Sequence, residues 1–314
     1  GCRSLVPTAG DEPQYFYYAL VAGRLELQSR GQGSTFQELS STSLGDVPLP
    51  LPPLPIQKAI AAYLDRKTAA IDTLIEKKEK LIALLAEKRA ALINRAVTKG
   101  LNPDVPMKDS GVPWIGEIPA HWKVMQMKHV TRLVQTGPFG SQLKSDEYVE
   151  GHFPVVNPAN LAGGQIFPDE GKTVTVETAN RLARHRLVIG DVVFGRRGEL
   201  GRCAAVSAHE EGWLCGTGSI LVRLRQEEAL PGYISLLGNS SGTASALSLS
   251  SVGSTMENMN TEILGALQLP VPPPSEQSSI LAWSARTEGA FKSAEVGVFS
   301  LLERLREYRQ AFIT

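Results

Sequence analysis

Two stretches of the chain carry apolar residues at the spacing of a helix that packs against another helix. From Gln57 to Lys99 the sequence contains no Gly or Pro and is rich in Ala, Leu, Lys and Glu, residues that favour helices. Its apolar residues recur at intervals of three and four, which predicts one long helix with a narrow apolar seam. A second stretch with this spacing predicts another long helix over 273–314.

The seam positions follow from a heptad count. In the first helix one position holds Leu64, Ile71, Leu85 and Leu92, and its partner position holds Ile60, Leu74 and Leu81. In the second helix these two positions hold Phe291, Val298, Leu305 and Phe312, and then Ile280, Ala294, Leu301 and Tyr308. Because both seams are long, we predict that the two helices pack on each other as an antiparallel coiled coil. The alternative is that each helix packs on its own globular domain.

Both helices belong to an internal repeat with one fixed offset. Of the 28 residues from Gly33 to Ile60, 11 are identical to the residue 220 positions later, whereas residue frequencies alone give roughly two. In each copy two prolines, three further residues and a glutamine lead into the long helix. The tripeptide Gly33-Ser34-Thr35 recurs as Gly253-Ser254-Thr255, and we interpret it as structural, capping a helix near residue 258.

The sequence outside the long helices predicts a mixed α+β fold. Short apolar runs bounded by Gly and Pro indicate strands between them. We predict strands at 154–156, 173–176, 191–194 and 219–222, and helices near 231–237 and 260–264. Residues 1–50, which include an aromatic cluster from Tyr15 to Tyr18, predict short strands and turns.

Composition narrows the class of protein. With 42% hydrophobic and 20% charged residues, the chain has the balance of an ordinary soluble globular protein. Cys2, Cys203 and Cys215 show no CxxC spacing, which argues against a disulfide scaffold or zinc site and favours a reducing cytoplasm. The 32 basic and 32 acidic residues balance, so a polyanionic partner must be argued from where the charge is placed.

Positive charge is concentrated in one segment. Between Arg181 and Arg202 six arginines stand against two acidic residues. Arg184 and Arg186 precede an apolar strand, while Arg196 and Arg197 follow it and are flanked by glycines. The second pair predicts an exposed turn whose guanidinium groups could bond phosphate oxygens or guanine edges. The alternative is a solvated hairpin with surface ion pairs.

A glycine-flanked loop is the second candidate for binding. Its hydroxyl, amide and ammonium donors are Thr136, Ser141, Gln142 and Lys144. Gly137 and Gly140 would let such a loop approach a duplex closely. The alternative is a tight structural turn, and for Phe139 we favour that interpretation, with its ring in the core.

Catalytic and metal sites have no support in the motifs. The chain lacks the phosphate-binding P-loop pattern and a dinucleotide loop in its proper context. Its five histidines show no metal-ligand spacing. We therefore predict no catalytic residue and no metal ligand in this chain.

An ordered set of motifs resembles a known family. The motifs are Val112–Pro119, Thr136–Leu143, Arg184–Arg186, Gly190–Gly198 and Gly216–Ser219. Together with the Pro-Pro-x-x-x-Gln entry to both long helices, they resemble the specificity subunit of type I restriction-modification enzymes. Each motif is weak alone, but the ordered set spans essentially the whole chain.

The resemblance implies a role in reading double-stranded DNA. Such a subunit has two target-recognition domains, each reading one half of a bipartite site, and two long helices that hold them apart. It has no catalytic centre and no cofactor of its own. Its implied partners are methyltransferase (modification) subunits and a restriction/translocase subunit, which use S-adenosylmethionine, ATP and Mg; no membrane is implied.

The resemblance also divides the chain. The expected parts are the C-terminal remnant of a first target-recognition domain (1–52), a central spacer helix (53–100), a second, complete target-recognition domain (101–272) and a C-terminal spacer helix (273–314). The first copy has no counterpart of residues 107–215, so we expect a fragment or a truncated product. The alternative function is a coiled-coil scaffold for protein assembly without DNA specificity.

Overall fold

The chain forms two compact units in a computed structural model that describes residues 5–6, 10–31, 39–251 and 259–314. One unit comprises residues 1–86 and 291–314, and the other comprises residues 87–290. The repeated Gly-Ser-Thr tripeptides and the cap predicted near residue 258 lie outside the described residues. Among the helices described, none is long and apolar enough to span a membrane.

The first unit is helical. Among the residues described, its elements are α1 (Pro13–Ala22), α2 (Arg24–Ser29), α3 (Ser41–Gly45), the first part of α4 (Leu54–Lys99) and the last part of a long C-terminal helix given below. The strands and turns predicted around the aromatic cluster are therefore wrong. Pro13 occupies the first turn of α1, where proline is well tolerated, and Tyr15 and Tyr18 lie three residues apart on its buried face. Tyr18 packs with Leu64 of α4 and Ile313.

The second unit contains the strands described and four of the short helices. In chain order, the first strands are β1 (Met107–Asp109), β2 (Glu117–Pro119), β3 (Lys123–Gln126), β4 (Thr131–Thr136), β5 (Tyr148–Val149), β6 (Phe153–Val156), β7 (Leu161–Ala162), β8 (Gln165–Ile166) and β9 (Thr173–Val174). The remaining elements are α5 (Val176–Arg181), β10 (Asp191–Gly195), β11 (Cys203–Ala205), β12 (Leu214–Cys215), β13 (Ser219–Leu224), α6 (Pro231–Gly238), α7 (Ser241–Ser251), α8 (Thr261–Ala266), β14 (Gln268–Val271) and α9 (Pro274–Ile313), whose last part belongs to the first unit. The predicted mixed α+β fold is confirmed.

The main sheet of the second unit is antiparallel and buried on both faces. Its strand order is β11-β10-β13-β4, and a second sheet has the order β12-β6-β9-β5 with one parallel pair, β12 and β6. Along β10, Val192 and Phe194 enter the largest core, whereas Val193 enters a cluster on the opposite face. The alternation follows from the two-residue period of a strand.

Most of the predicted elements of this unit lie where expected. Three predicted strands correspond to β6, β10 and β13, and the two predicted helices correspond to α6 and α8. The strand predicted over 173–176 ends earlier, at Val174. Thr175 is extended and its hydroxyl accepts a hydrogen bond from the N–H of Thr178 at 3.2 Å, so it begins helix α5 instead.

The two long helices run antiparallel. Within the first unit, Asp72 pairs with Arg309 at 2.6 Å and Glu79 pairs with Arg306 at 2.9 Å. Residue numbers therefore rise along α4 as they fall along α9. Within the second unit, Arg89 pairs with Glu288 at 3.1 Å. The predicted antiparallel packing is confirmed.

The structure corrects the phase of one seam position by a single residue. Leu74, Leu81 and Leu301, assigned to the seam, are 39%, 36% and 38% exposed, whereas Leu302 is only 3% exposed. Each corrected leucine is followed directly by another apolar residue, so the apolar pattern fits two phases equally. The contact with Tyr18 distinguishes the two phases. Its hydroxyl lies 3.1 Å from the Thr68 hydroxyl, so the side of α4 that carries Thr68 faces inward.

The remaining seam residues are buried to different degrees. Leu64 is buried. The half-buried members are Ile71, Leu85, Leu92, Phe291, Val298, Leu305 and Phe312. At the second seam position of α4, Ile75 and Ile82 face inward. Each directly follows a leucine that the heptad count assigns to the seam.

A buried glutamine at the start of each long helix ties that helix to its own unit. Gln277 is fully buried; its Oε1 accepts a hydrogen bond from the N–H of Leu230 at 2.7 Å, and its Nε2 donates to the carbonyls of Glu228 and Pro272. In the other unit, Oε1 of Gln57 accepts from the N–H of Glu12 at 3.0 Å, and its Nε2 donates to a proline carbonyl. Leu230 and Glu12 are the N-cap residues of α6 and α1.

The corrected seam predicts unequal effects for two adjacent leucines. Leu302→Ala should lower the free energy of unfolding by about 2–4 kcal/mol, because it removes buried methyl groups. Leu301→Ala should change it by less than about 1 kcal/mol. Urea unfolding of both variants measures this difference, and a larger loss for Leu301→Ala would restore the original phase.

The glutamine contacts predict a second stability difference on α9. Gln277→Ala should lower the free energy of unfolding by about 2 kcal/mol, since it leaves a buried N–H and two carbonyls without their partner. The matched control is Gln310→Ala, which changes an exposed residue of the same helix. Equal unfolding midpoints for the two variants would contradict a structural role for Gln277.

Candidate nucleic-acid interface

Both candidate loops leave the main sheet at the same end of its strands, here called the sheet edge. Strands β4 and β10 each run antiparallel to β13, which lies between them, so their C-terminal ends meet its N-terminal end. In this register Thr136 pairs with Ile220, and Gly195 pairs with Ser219. Neighbouring strands are about 4.8 Å apart, so the loops after β4 and β10 leave the sheet about 10 Å apart.

Residues 216–219, here called the root segment, hold the base of both loops. The N–H of Gly137 donates to the carbonyl of Ser219 at 2.9 Å, and the N–H of Arg196 donates to the carbonyl of Gly218 at 2.8 Å. A Cβ on Gly137 would lie 1.8 Å from the carbonyl oxygen of Gly216, so only glycine fits there. The two loops are therefore positioned by one short piece of backbone.

The first loop presents a short tip between two buried anchors. Pro138 and Leu143 are buried, and a 3₁₀ turn over Gly140–Gln142 lies between them. Gly140 has a φ of 61°, a conformation that favours glycine. Ser141 and Gln142 at this tip are exposed.

The interpretation of Phe139 as a core residue is wrong. Its side chain is 59% exposed. The neighbouring Pro138 and Leu143 already supply the buried apolar contacts of this loop, and Leu143 packs with Val155 and Leu214 in its own cluster. Phe139 therefore lies at the tip, among the polar residues.

The far side of the first loop is clamped by an arginine from α5. Arg181 donates to the carbonyl of Gln142 at 2.7 Å and also pairs with the carboxylate of Glu147. The same carboxylate accepts from the backbone N–H of Lys144 at 2.9 Å. The Lys144 side chain is exposed, and Thr136 at the near side is half-buried.

The two arginines of the second loop have different surroundings. Arg196 is partly buried; its Nε donates to the carbonyl of Met259 at 3.0 Å, and the Met259 N–H donates back to the Arg196 carbonyl. Burial, with the nearby Arg197 charge adding to it, lowers the pKa of Arg196. Arg197 is exposed. Arg196 is therefore a structural anchor, and Arg197 is the one that is presented to solvent.

The two arginines before β10 also differ in exposure. Arg184 is exposed, and its carbonyl accepts a hydrogen bond from Gln135 of β4 at 3.2 Å. Arg186 is half-buried, with its guanidinium 5.3 Å from the centre of the Phe153 ring and hydrogen-bonded to Asn180 at 2.8 Å. Arg184 is therefore the more exposed arginine of this pair.

A buried histidine, His185, lies next to Arg184 in the chain. His185 is 1% exposed, and its Nδ1 lies 2.9 Å from the side-chain nitrogen of Gln135. Burial lowers the pKa of His185, and the Arg184 charge lowers it further. The lowered pKa keeps His185 neutral near pH 7, so it adds no charge beside Arg184.

Two of the acidic residues beside the loops are paired with arginines outside the candidate set. Glu147 pairs with Arg181, and Glu199 pairs with Arg202 at 3.6 Å. The edge as a whole therefore presents hydroxyl and amide donors together with Lys144, Arg184 and Arg197. Such a set suits phosphate oxygens and base edges.

The model of the type I restriction modification DNA specificity domain matches residues 1–83 and 119–283. The chain belongs to this family. The resemblance drawn from the ordered motifs is thereby confirmed.

Curated relatives from an archaeon and a bacterium are similar to the chain. It is 28% identical over 180 residues to the type I restriction enzyme MjaVIII specificity subunit of Methanocaldococcus jannaschii, covering 57% of this chain and 40% of that protein. It is 24% identical over 300 residues to the EcoKI specificity subunit of Escherichia coli K12, covering 92% of this chain and 61% of that protein. The chain thus spans less than two thirds of either relative.

Solved structures share the fold at low sequence identity. A chain solved in work on complex assembly and conformational transition of the type I R-M system aligns with a TM-score of 0.61 and 16% identity, covering 96% of this chain and 70% of that one. The HsdS subunit from Thermoanaerobacter tengcongensis aligns with a TM-score of 0.53 and 14% identity, covering 96% and 69%.

The surroundings of the two loop arginines predict unequal effects on stability. Arg196→Ala should lower the free energy of unfolding by about 1–3 kcal/mol, because it leaves the Met259 carbonyl without its charged donor. Arg197→Ala, one residue further, should change it by less than about 0.5 kcal/mol. Thermal unfolding followed by circular dichroism compares the variants; an unaffected Arg196→Ala protein would contradict the anchoring role.

Proposed function

We propose that the chain is a non-catalytic DNA-sequence specificity subunit of a type I restriction-modification complex. One observation carries the proposal: two loops with polar and basic tips leave the same sheet edge from one shared root segment. Family membership adds support, since the relatives are named as specificity subunits of restriction enzymes.

Each group at the sheet edge has a role in this proposal. Ser141 and Gln142 bond to base edges, and Arg197 takes a guanine edge or a phosphate. Lys144 and Arg184 bond to phosphates and set the position on the duplex. Because the loops leave the sheet about 10 Å apart, they span about three base pairs, at roughly 3.4 Å per base pair along a strand. This length suits one half of a bipartite site.

The partner subunits dock on the long helices in this proposal. Within the first unit, the exposed leucines Leu74, Leu81 and Leu301 offer apolar surface outside the corrected seam, and exposed apolar surface of this kind marks protein interfaces. Methyltransferase subunits bind there, and a restriction/translocase subunit joins through the complex. Those partners supply the chemistry that uses S-adenosylmethionine, ATP and Mg.

The same leucines favour the alternative of a protein-assembly scaffold without DNA specificity. The two functions differ in their response to salt. A protein that neutralises several phosphates loses affinity for DNA log-linearly as salt rises, because counterions are released on binding. A scaffold shows no such DNA binding.

We expect Arg197→Ala and Lys144→Ala to weaken DNA binding while the fold stays intact. Each should lower affinity for a labelled duplex by about three- to tenfold and reduce the salt slope by about one. Fluorescence anisotropy with a random-sequence 30-base-pair duplex, titrated at several salt concentrations, gives both quantities.

Arg132→Ala is the matched control for these variants. Arg132 is 63% exposed and lies at the opposite end of β4, where it pairs with Glu227. The Arg132→Ala variant should bind the duplex with the affinity and salt slope of the wild type. An equal loss with Arg132→Ala, or the absence of salt-dependent binding by the wild type, would contradict DNA recognition at this sheet edge.

A further inference from the structure

Phe139 stands out as an exposed aromatic side chain at the tip of the first loop. Its side chain is 59% exposed, and its backbone is extended, with φ −142° and ψ 163°. Buried Pro138 precedes it and Gly140 turns the chain directly after it. The ring is thus presented to solvent by a well-anchored loop.

The loop is fixed on both sides of Phe139. On one side, Gly137 donates to the root segment at 2.9 Å and lies too close to Gly216 for any side chain. On the other side, buried Leu143 packs in its cluster and Arg181 donates to the Gln142 carbonyl at 2.7 Å. These contacts hold the loop on both sides of the ring and leave Phe139 exposed.

We propose that Phe139 is a wedge that inserts between stacked base pairs of the bound duplex. This inference rests on the proposed function and adds a second mode of recognition to it, the readout of how easily a base step opens. Apolar side chains that enter a base step unstack it and kink the duplex. Steps that unstack easily, such as TA and CA, are therefore favoured at the wedge position.

The residues around the wedge favour DNA as its target. Ser141, Gln142 and Lys144 follow Phe139 within five residues, so donors for phosphates and base edges come directly after the apolar ring in the same loop. A protein partner would be expected to meet a broader apolar patch, because interface cores are depleted in charged residues. The composition of the tip matches a wedge flanked by backbone contacts.

The sheet geometry also locates the opened step. Strands β4 and β10 are separated by β13 alone, so the wedge and Arg197 extend from points about 10 Å apart. The unstacked step therefore lies about three base pairs from the base or phosphate that Arg197 contacts.

The test uses the full chain and a duplex enriched from a random 30-base-pair pool. The adenine analogue 2-aminopurine, which fluoresces more strongly when unstacked, replaces one adenine at a time in this duplex. The wild type should raise the fluorescence at one step. Phe139→Ala should abolish that rise and lower affinity by about tenfold, as expected for the loss of one base–aromatic contact. Phe139→Leu should keep most of the rise, because leucine is itself a wedge residue.

Ile189→Ala serves as the matched control. Ile189 is 53% exposed and precedes β10, at the opposite edge of the main sheet. This variant should behave as the wild type in both measurements. Unchanged unfolding midpoints for all variants, followed by circular dichroism, exclude a general loss of structure.

The outcomes separate the wedge from the proposed function. If Phe139→Ala binds and unstacks DNA as the wild type does, the wedge is overturned while DNA recognition stands. If that variant instead loses binding to a methyltransferase subunit only, Phe139 belongs to a protein interface and the wedge is again overturned. If the wild type binds no duplex, DNA recognition itself is overturned, and the wedge with it.

Discussion

The buried glutamine at the start of each long helix is the contact on which the architecture depends. The chain enters each long helix through a proline-rich segment whose backbone carbonyls need hydrogen-bond donors where they are buried. Gln57 and Gln277 each donate to one of these proline carbonyls and accept from the N–H of the residue that caps a neighbouring helix. Tyr15 and Tyr233 repeat the theme, donating to the carbonyls of Pro50 and Pro270 at 2.8 and 2.9 Å. Among the repeated residues, the glutamine and the prolines before it are thus the ones that connect helix to unit.

At the candidate interface, some residues hold the loops in place and others extend into solvent. The root segment, Arg196 and the Arg181–Glu147 pair hold backbone in place, while the tip side chains and Arg197 face outward. This division explains why neighbouring residues of one type differ so much in role. It also means that affinity for DNA and stability of the unit are altered by different substitutions.

Much of the fold could be predicted, because strand and helix periods follow from burial on one or two faces. What could not be predicted lacks a local signal. The choice between Leu301 and Leu302 depends on packing, since both are apolar and adjacent. Arg196 and Arg197 are the same residue type, and only the distant Met259 carbonyl separates them. The sequence does not show that Phe139 is exposed, because Pro138 and Leu143 occupy the core positions of that loop only in the folded unit. The antiparallel helix pair and the α+β class were recoverable; the fine assignment of site residues was not.

The glycine contact at the base of the first loop has a consequence for how recognition can change. Gly137 meets the root segment through backbone atoms alone, so the side chains at the tip take no part in holding the loop. Ser141 and Gln142 can accordingly be exchanged for other residues without disturbing the sheet edge. New DNA preferences can therefore arise by point substitution on an unchanged scaffold, and variation in this protein is expected to accumulate at the tip while its support stays constant.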